Sequence, residues 1–150
     1  MTFMDITQFR QLFDRKVVEK PKLFELISPD TPANERQLSD AEYKLGVKLP
    51  SSYRSFLIEF GGGSFGLTNV FSVDPESDYF LVSRNSQAHG LLPNHLIAFS
   101  DDFSGGWYAF ATLDGTAGDS VFYWNVDGGL QETRFMNVFE YVAHFAFDSA

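Results

Sequence analysis

Residues 45–63 read LGVKLPSSYRSFLIEFGGG, and this stretch decides the fold of the chain. It predicts the end of one helix, a sharp corner, a second amphipathic helix and a glycine stop. Gly46 stands where a left-handed residue closes a helix. Pro50 suits the first turn of the next helix, where its missing N–H costs nothing. Apolar side chains then recur at i, i+3, i+4 and i+7 and form one buried face: Tyr53, Phe56, Leu57 and Phe60.

Helical spacing also marks both ends of the chain. Asp5 and Gln8 form a capping-box pattern in front of a helix predicted over residues 6–18. Residues 22–27 are ambiguous between a helical turn and a short strand, and Thr31-Pro32 predicts the start of the helix that ends at Gly46. Apolar residues between 137 and 147 again repeat at helical spacing, which predicts a closing helix.

Between these ends the period changes from helical to strand-like. Strands are predicted at 67–73, 79–82, 95–99, 107–113, 121–126 and 130–135. Short turn-rich connections between consecutive strands favour antiparallel pairing. The sequence therefore predicts a single α+β domain with N-terminal helices, a mostly antiparallel sheet of about five or six strands, and a C-terminal helix packed on it.

Composition limits the classes of protein that need to be considered. The 150 residues include no cysteine, which excludes disulfides, thiolate metal sites and a cysteine nucleophile. The first residues lack the basic start and apolar core of a signal peptide, and no apolar run approaches the length of a membrane span. We expect a cytoplasmic protein that does not insert into membranes.

The charge is unevenly distributed along the chain. Residues 1–65 hold nine Lys or Arg and nine Asp or Glu, whereas residues 66–150 hold two arginines and eleven acids, which accounts for the net charge of −9. Direct binding to nucleic acid needs clustered cations and is disfavoured. An acidic surface favours a basic protein partner, although it also serves solubility alone.

The glycine-rich run 61–66, GGGSFG, satisfies two catalytic motifs by its letters. A dinucleotide fingerprint and a nucleophile elbow both need a strand before the glycines and a helix after them. Here a helix precedes the glycines and a strand follows them. Asp101 and His144 follow Ser64 in the right order for a serine triad, but the nucleophile elbow that the triad needs is not predicted. We interpret the run as a helix C-terminus that leads into a strand.

Metal sites are equally unsupported by the sequence. His89, His95 and His144 share no metal-ligand spacing. Asp101-Asp102 resembles a calcium loop but lacks the alternating oxygen positions and the closing glutamate. We expect no catalytic residues, no cofactor and no metal.

Residues 100–110, SDDFSGGWYAF, form the other dense block of unusual residues. Acids, glycines and aromatics occur together on the connection between two predicted strands. Aromatic residues beside charges are typical of interface anchors. A tight turn with Trp107 tucked into the core is the alternative, and the sequence leaves both open.

Several of these segments together resemble the SUKH superfamily. The N-terminal signature is carried by residues 45–50, Tyr53, Phe56-Leu57 and the glycines 61–63. Residues 97–99, 102–110, 121–124 and 139–141 follow in the order expected for the family. The resemblance covers about 31–147 and leaves 1–30 as an N-terminal helical extension. Phe60 replaces the asparagine that usually precedes the paired glycines, so that position is assigned no shared role.

The resemblance implies a compact α+β domain without enzymatic activity. Most bacterial members are immunity proteins that bind and neutralise a toxin domain, and a fungal branch regulates cell-wall synthesis through protein binding. We therefore expect a non-enzymatic immunity protein that binds a cognate bacterial toxin domain with a basic surface, such as a nuclease. A regulatory or scaffold module with a non-toxin partner is the alternative.

The expected partner-binding residues lie in the acidic second part of the chain. Charge would come from four aspartates, and Trp107 and Tyr108 would be the main aromatic anchors, with Trp124 a third. The choice of this face comes from charge and turn positions and not from the resemblance. The oligomeric state, monomer or homodimer, stays open. The four aspartates are Asp101, Asp102, Asp114 and Asp119.

Overall fold

The computed structural model describes residues 3–147, which form six helices and seven strands. The helices are α1 (Ile6–Glu19), α2 (Pro21–Phe24), α3 (Glu35–Leu45), α4 (Ser51–Phe60), α5 (Leu81–Gln87) and α6 (Val138–Phe147). The strands are β1 (Ile27–Pro29), β2 (Gly63–Phe65), β3 (Thr68–Val70), β4 (Leu96–Asp101), β5 (Gly106–Leu113), β6 (Thr116–Asn125) and β7 (Gly129–Glu132). The α+β class with a closing helix is confirmed.

The strands form two antiparallel sheets where the sequence predicts one. One sheet has the order β1-β2-β3 and the other the order β4-β5-β6-β7. They meet where β3 runs beside β4: the N–H of Phe71 donates to the carbonyl of Phe99 at 2.7 Å, and the buried Asn69 donates to the Asp101 carboxylate at 3.1 Å. The additional strands β1 and β2 are three residues each, which is too short for a period-2 pattern to show.

The stretch that decides the fold behaves largely as its sequence predicts. Gly46 closes α3 with a φ of 73°, and the predicted face of α4 is buried except at Phe60, which is partly buried. Pro50 is the residue before α4 and has extended geometry, so it lies one position outside the predicted first turn. Glu42 ties the corner together, because its buried carboxylate accepts from the N–H of Leu49 at 2.8 Å and pairs with Arg54 at 3.0 Å.

The N-terminal capping box is confirmed, and the start of α3 differs from prediction. Asp5 accepts from the N–H of Gln8 at 2.8 Å in front of α1. The helix α3 begins at Glu35 instead of near Thr31, because Asn34 forms its own capping box with Gln37. The ambiguous residues 22–27 contain both alternatives, since α2 ends and β1 begins within them.

The strand predicted at 79–82 is wrong, because α5 begins there. Ser72 forms a single bridge with Phe80, and the chain then turns into the helix. Asn85, on α5, faces the edge of β4, where its amide bonds both the N–H and the carbonyl of Ala98 at 2.9 Å. A polar residue thus occupies the inward position of α5, which removes the apolar periodicity that marks a helix.

The glycine run 61–63 is required by close backbone packing. Gly61, Gly62 and Gly63 have φ values of 81°, 91° and 98°, which side chains rarely adopt. A Cβ on Gly63 would lie 2.7 Å from the backbone nitrogen of Asp30. Ser64 lies in the middle of β2 and pairs with Ser28 and Asn69. The helix-to-strand context of this run is therefore confirmed.

Aromatic side chains fill the core between the helices and the sheets. Phe9 of α1 lies 5.7 Å from Phe56 of α4 and 5.4 Å from Phe139 of α6, measured between ring centroids. Phe99 of β4 stacks on Phe110 of β5 at 4.4 Å. The helix α6 thus packs against α1, α4 and the inner face of the β4–β7 sheet, as predicted for the closing helix.

Candidate binding face

Alternation along β5 and β6 separates their aromatic residues onto two faces of the sheet. Trp107 pairs with Trp124, and Trp124 pairs in turn with Leu130 of β7. At the next position of the two strands, Tyr108 pairs with Tyr123. Because successive side chains of a strand point to opposite faces, the two tryptophans share the outer face and the two tyrosines share the inner one.

Tyr108 belongs to the packing under α6. Its ring centroid lies 4.8 Å from that of Tyr141 and 5.4 Å from that of Phe145. Burial raises the pKa of Tyr108 above its ordinary value, and the charge of Asp102 adds to that shift. The structure therefore separates Tyr108 from Trp107, whereas the sequence analysis groups them as anchors of one surface.

The outer face carries a row of apolar side chains that reaches the edge of the sheet. Trp107 and Trp124 are half-buried, and Leu130 is 47% exposed. The indole N–H of Trp124 donates to the carbonyl of Leu91 at 2.9 Å, which fixes its ring. This outer aromatic face (Trp107, Trp124 and Leu130) is bordered by other exposed apolar residues, which are Leu91, Phe103 and Val126.

The turn between β4 and β5 is held by its own aspartates. Asp102 accepts from the Tyr123 hydroxyl and, at 2.8 Å each, from the N–H groups of Ser104 and Gly106. Partial burial raises the pKa of Asp102, but these hydrogen bonds outweigh it and hold the pKa below the ordinary value. Asp102 therefore stabilises the turn, and its carboxylate is already engaged in hydrogen bonds within the protein.

Asp101 is likewise engaged within the fold. Its carboxylate pairs with Arg84 of α5 at 3.0 Å and accepts from Asn69 at 3.1 Å and from the N–H of Phe103 at 3.2 Å. These contacts neutralise much of its charge. They also join α5, β3 and the turn, so Asp101 is a structural residue in addition to any role at the surface.

The other two predicted aspartates lie at the opposite end of the β5–β6 hairpin. Asp114 is exposed in the connecting turn with a φ of 52°, and Asp119 accepts from the N–H of Ser52 at 3.4 Å and from its hydroxyl. A strand rises about 3.3 Å per residue, which places the turn about 20 Å from Trp107 and places Asp119 about 15 Å along β6 from Trp124. The predicted residues thus form two separate groups, and only the first lies beside the outer aromatic face.

Three residues beside this face were not selected from the sequence. Glu132 pairs with Phe122 on the outer face, and Asp127 is exposed in the turn between β6 and β7. Phe103 is 66% exposed and adopts a φ of 63°, which a non-glycine residue rarely does. Period-2 alternation between Leu130 and Glu132 is the signal that could have assigned both to one face; the left-handed Phe103 has no comparable signal.

Histidines can hold a metal ion, and long apolar helices can span a membrane. His89 and His95 are exposed, and His144 bonds to Arg134. Within residues 3–147, no three His, Cys, Asp or Glu side chains lie together as a metal site would require. None of the helices in this described range has the length and apolar character needed to cross a bilayer.

Comparison with protein families agrees with the resemblance noted in the sequence. Residues 35–141 match the family model SUKH_6, described as SMI1-KNR4 cell-wall. The chain belongs to the SUKH superfamily. The SUKH match begins at the first residue of α3 and ends within α6, so it contains the outer aromatic face and leaves α1, α2 and β1 before it. A search of curated proteins found no match.

Proposed function

We propose that this SUKH protein is a non-enzymatic immunity protein that binds and neutralises a cognate bacterial toxin domain. The observation that supports this proposal is the outer aromatic face. Aromatic residues that are fixed on a rigid sheet and border exposed apolar side chains are typical of interface anchors. Exposed acids beside them, Asp127 and Glu132, give the face a charge that suits a basic partner.

The mechanism that follows is occlusion. Trp107 and Trp124 are already ordered by the sheet, so little side-chain entropy is lost when a partner covers them. The acids would speed capture of a basic surface, such as the nucleic-acid groove of a nuclease toxin, and the sheet would then block that groove. No bond is made or broken in this account.

Co-expression tests the proposal directly. The probe is the toxin domain encoded beside the gene in the native organism, expressed with and without this protein in a sensitive host. We expect the toxin domain alone to stop growth, and wild-type protein to restore it through a complex that survives purification. Growth arrest that persists despite abundant soluble immunity protein, or rescue without any complex, contradicts the proposal.

A regulatory or scaffold module is the second candidate function. The description of the matched family, SMI1-KNR4 cell-wall, favours it. Such a module would also bind through a protein surface, so the face alone does not separate the two functions. Toxicity of the partner separates them: a partner that leaves the growth of a sensitive host unchanged supports the regulatory module and removes the immunity function.

The steering part of the mechanism has its own test. Replacing Asp127 and Glu132 by Asn and Gln removes two charges beside the outer aromatic face, and replacing Asp40 and Glu25 in the same way removes two exposed charges elsewhere. At low salt we expect the first variant to associate with the partner roughly three- to tenfold more slowly and the second to change little. Equal slowing in both variants would mean that only the net charge matters.

A further inference from the structure

A cleft lies between α1 and α6, the helix that packs on the inner face of the β4–β7 sheet. This α1–α6 cleft has a volume of about 500 Å³, which is within the range of small-molecule sites. Its floor is apolar and buried, and consists of Leu12, Phe135 and Ala143. Polar side chains of α1, α6 and the preceding loop form the rim, among them Gln8, Arg15, Arg134, Glu140 and His144.

The one acid of the cleft accepts a backbone hydrogen bond at each of its two oxygens. One carboxylate oxygen of Glu140 accepts from the N–H of Met136 at 3.0 Å, and the other accepts from the N–H of Met4 at 3.1 Å. Glu140 thus ties the N-terminal segment to the start of α6.

Three other side chains can donate a hydrogen bond into the cleft: Arg134, Arg15 and His144. Arg134 lies 2.6 Å from Nδ1 of His144, and because a guanidinium has no acceptor, Nδ1 accepts and Nε2 carries the ring proton. The guanidinium also stacks over the ring of Phe135 at 5.3 Å, which orients its fork. Arg15 makes a long ion pair with Glu19, at 3.6 Å, through its Nε atom. Its other N–H groups can donate to another acceptor.

Arg134 is distinctive in the acidic part of the chain. It and Arg84 are the two cations of residues 66–150, and Arg84 pairs with Asp101. Among residues 3–147, no carboxylate comes within ion-pair distance of Arg134. A fixed arginine that has no carboxylate partner among the described residues, at the rim of an apolar cleft, is the arrangement that recognises a planar anion attached to an apolar group.

We propose that the α1–α6 cleft binds a carboxylate that carries an apolar body about the size of an aromatic ring. The carboxylate would accept from Arg134, with Arg15 and the His144 Nε2–H as further donors at the rim. The ring would lie on the floor formed by Leu12, Phe135 and Ala143. This ligand chemistry is shared by a free aromatic acid and by the C-terminal residue of a peptide.

The test uses 3-phenylpropionate as the probe and follows the backbone amides of the wild-type protein by two-dimensional NMR. We expect saturable shifts of the Gln8, Ala143 and His144 amides with a Kd of about 1–10 mM, as suits so small a ligand. The uncharged 3-phenylpropanamide should bind at least about tenfold more weakly, because it lacks the charge that Arg134 recognises. Equal binding of the amide, or shifts that do not saturate, overturns the proposal.

Two variants localise the interaction. Arg134→Gln should weaken binding of 3-phenylpropionate at least about fivefold, and Arg15→Gln should weaken it to a smaller extent. Arg36→Gln removes an exposed arginine from α3 and should leave the Kd unchanged. If all three substitutions have the same effect, the anion responds only to net charge and the cleft is not a site.

Two further probes define the ligand class. Inorganic phosphate should bind more weakly than 3-phenylpropionate, since it gains nothing from the apolar floor; tighter binding of phosphate overturns the assigned ligand. N-acetyl-glycyl-phenylalanine, whose free carboxylate ends a peptide, distinguishes the two sources of the same chemistry. Tighter binding of this peptide than of 3-phenylpropionate assigns the cleft to a peptide C-terminus, and weaker binding assigns it to a free acid.

Discussion

The two faces of the β4–β7 sheet are built from the same strands and are both rich in aromatic residues, yet they differ in what covers them. On the inner face, Phe99 and Phe110 are fully buried, and α6 covers them through Tyr141, whose ring centroid lies 5.0 Å from that of Phe99. On the outer face, α5 and its following loop lie beside β4, and Leu130 on β7 remains 47% exposed. Aromatic content alone therefore does not tell which residues hold the fold and which remain available to a partner.

The two faces differ in how far other parts of the same chain cover them and bond their polar atoms. The hydroxyl of Tyr141 bonds both Thr68 and Ser100, at 2.6 Å and 2.8 Å, so even the polar atoms of the inner face are satisfied. The outer aromatic face has one such bond, from Trp124 to Leu91. Apolar surface that remains on a rigid, ordered sheet is the property that we connect with partner binding.

The largest expected effect comes from truncating one apolar side chain on each face. Phe110→Ala should lower the free energy of unfolding by about 3–5 kcal/mol, because it leaves a cavity beneath Phe99 and Tyr53. Leu130→Ala should change it by less than about 0.5 kcal/mol. Urea denaturation of both variants measures the difference. Similar losses would show that the outer face supports the fold as much as the inner one does.

A smaller effect is expected from the inner hydroxyl network. Tyr141→Phe removes the shared hydroxyl partner of Thr68 and Ser100 without creating a cavity, and should cost about 1–2 kcal/mol of stability. Tyr43→Phe, at a position that is 88% exposed, is the matched control and should cost almost nothing. Denaturation midpoints that coincide for the two variants would remove the network from the account.

The smallest effect on stability is expected at Asp102, in the turn that joins β4 to β5. Its folded pKa is lowered, so its stabilising contribution is present above its unfolded pKa of about 3.9 and is lost as the pH falls through the folded pKa. Asp102→Asn should cost about 1 kcal/mol at pH 7. The gap between wild type and variant should close below about pH 4; a gap that is independent of pH would exclude the charged hydrogen bonds as its cause.

The local signals of the sequence were sufficient for most of the fold. Gly46, the apolar face of α4 and the capping box of α1 report on neighbours within a few residues, and each is confirmed. The helix α5 was missed because Asn85 satisfies the edge of β4 from a position where an apolar residue is expected. The division into two sheets depends on contacts between distant segments, which periodicity does not contain.

The candidate site was predictable only in part, for a related reason. The sequence selected Trp107 and Trp124, which the register of β5 and β6 brings together. It could not show that Tyr108 points to the other face, or that Asp101 is paired with Arg84 from a helix that had not been predicted. Glu132 and Asp127 depend on the register of β7, which the alternation of four residues fixes weakly.

The comparison between the faces is tested most directly by the affinity of the partner for two matched variants. Leu130→Arg and Tyr43→Arg each replace an exposed apolar residue and add one positive charge, the first on the outer aromatic face and the second on α3. Isothermal titration with the purified partner should give a Kd at least about tenfold weaker for Leu130→Arg and unchanged within twofold for Tyr43→Arg. Equal affinities for the two variants would contradict the assignment of partner binding to the outer face.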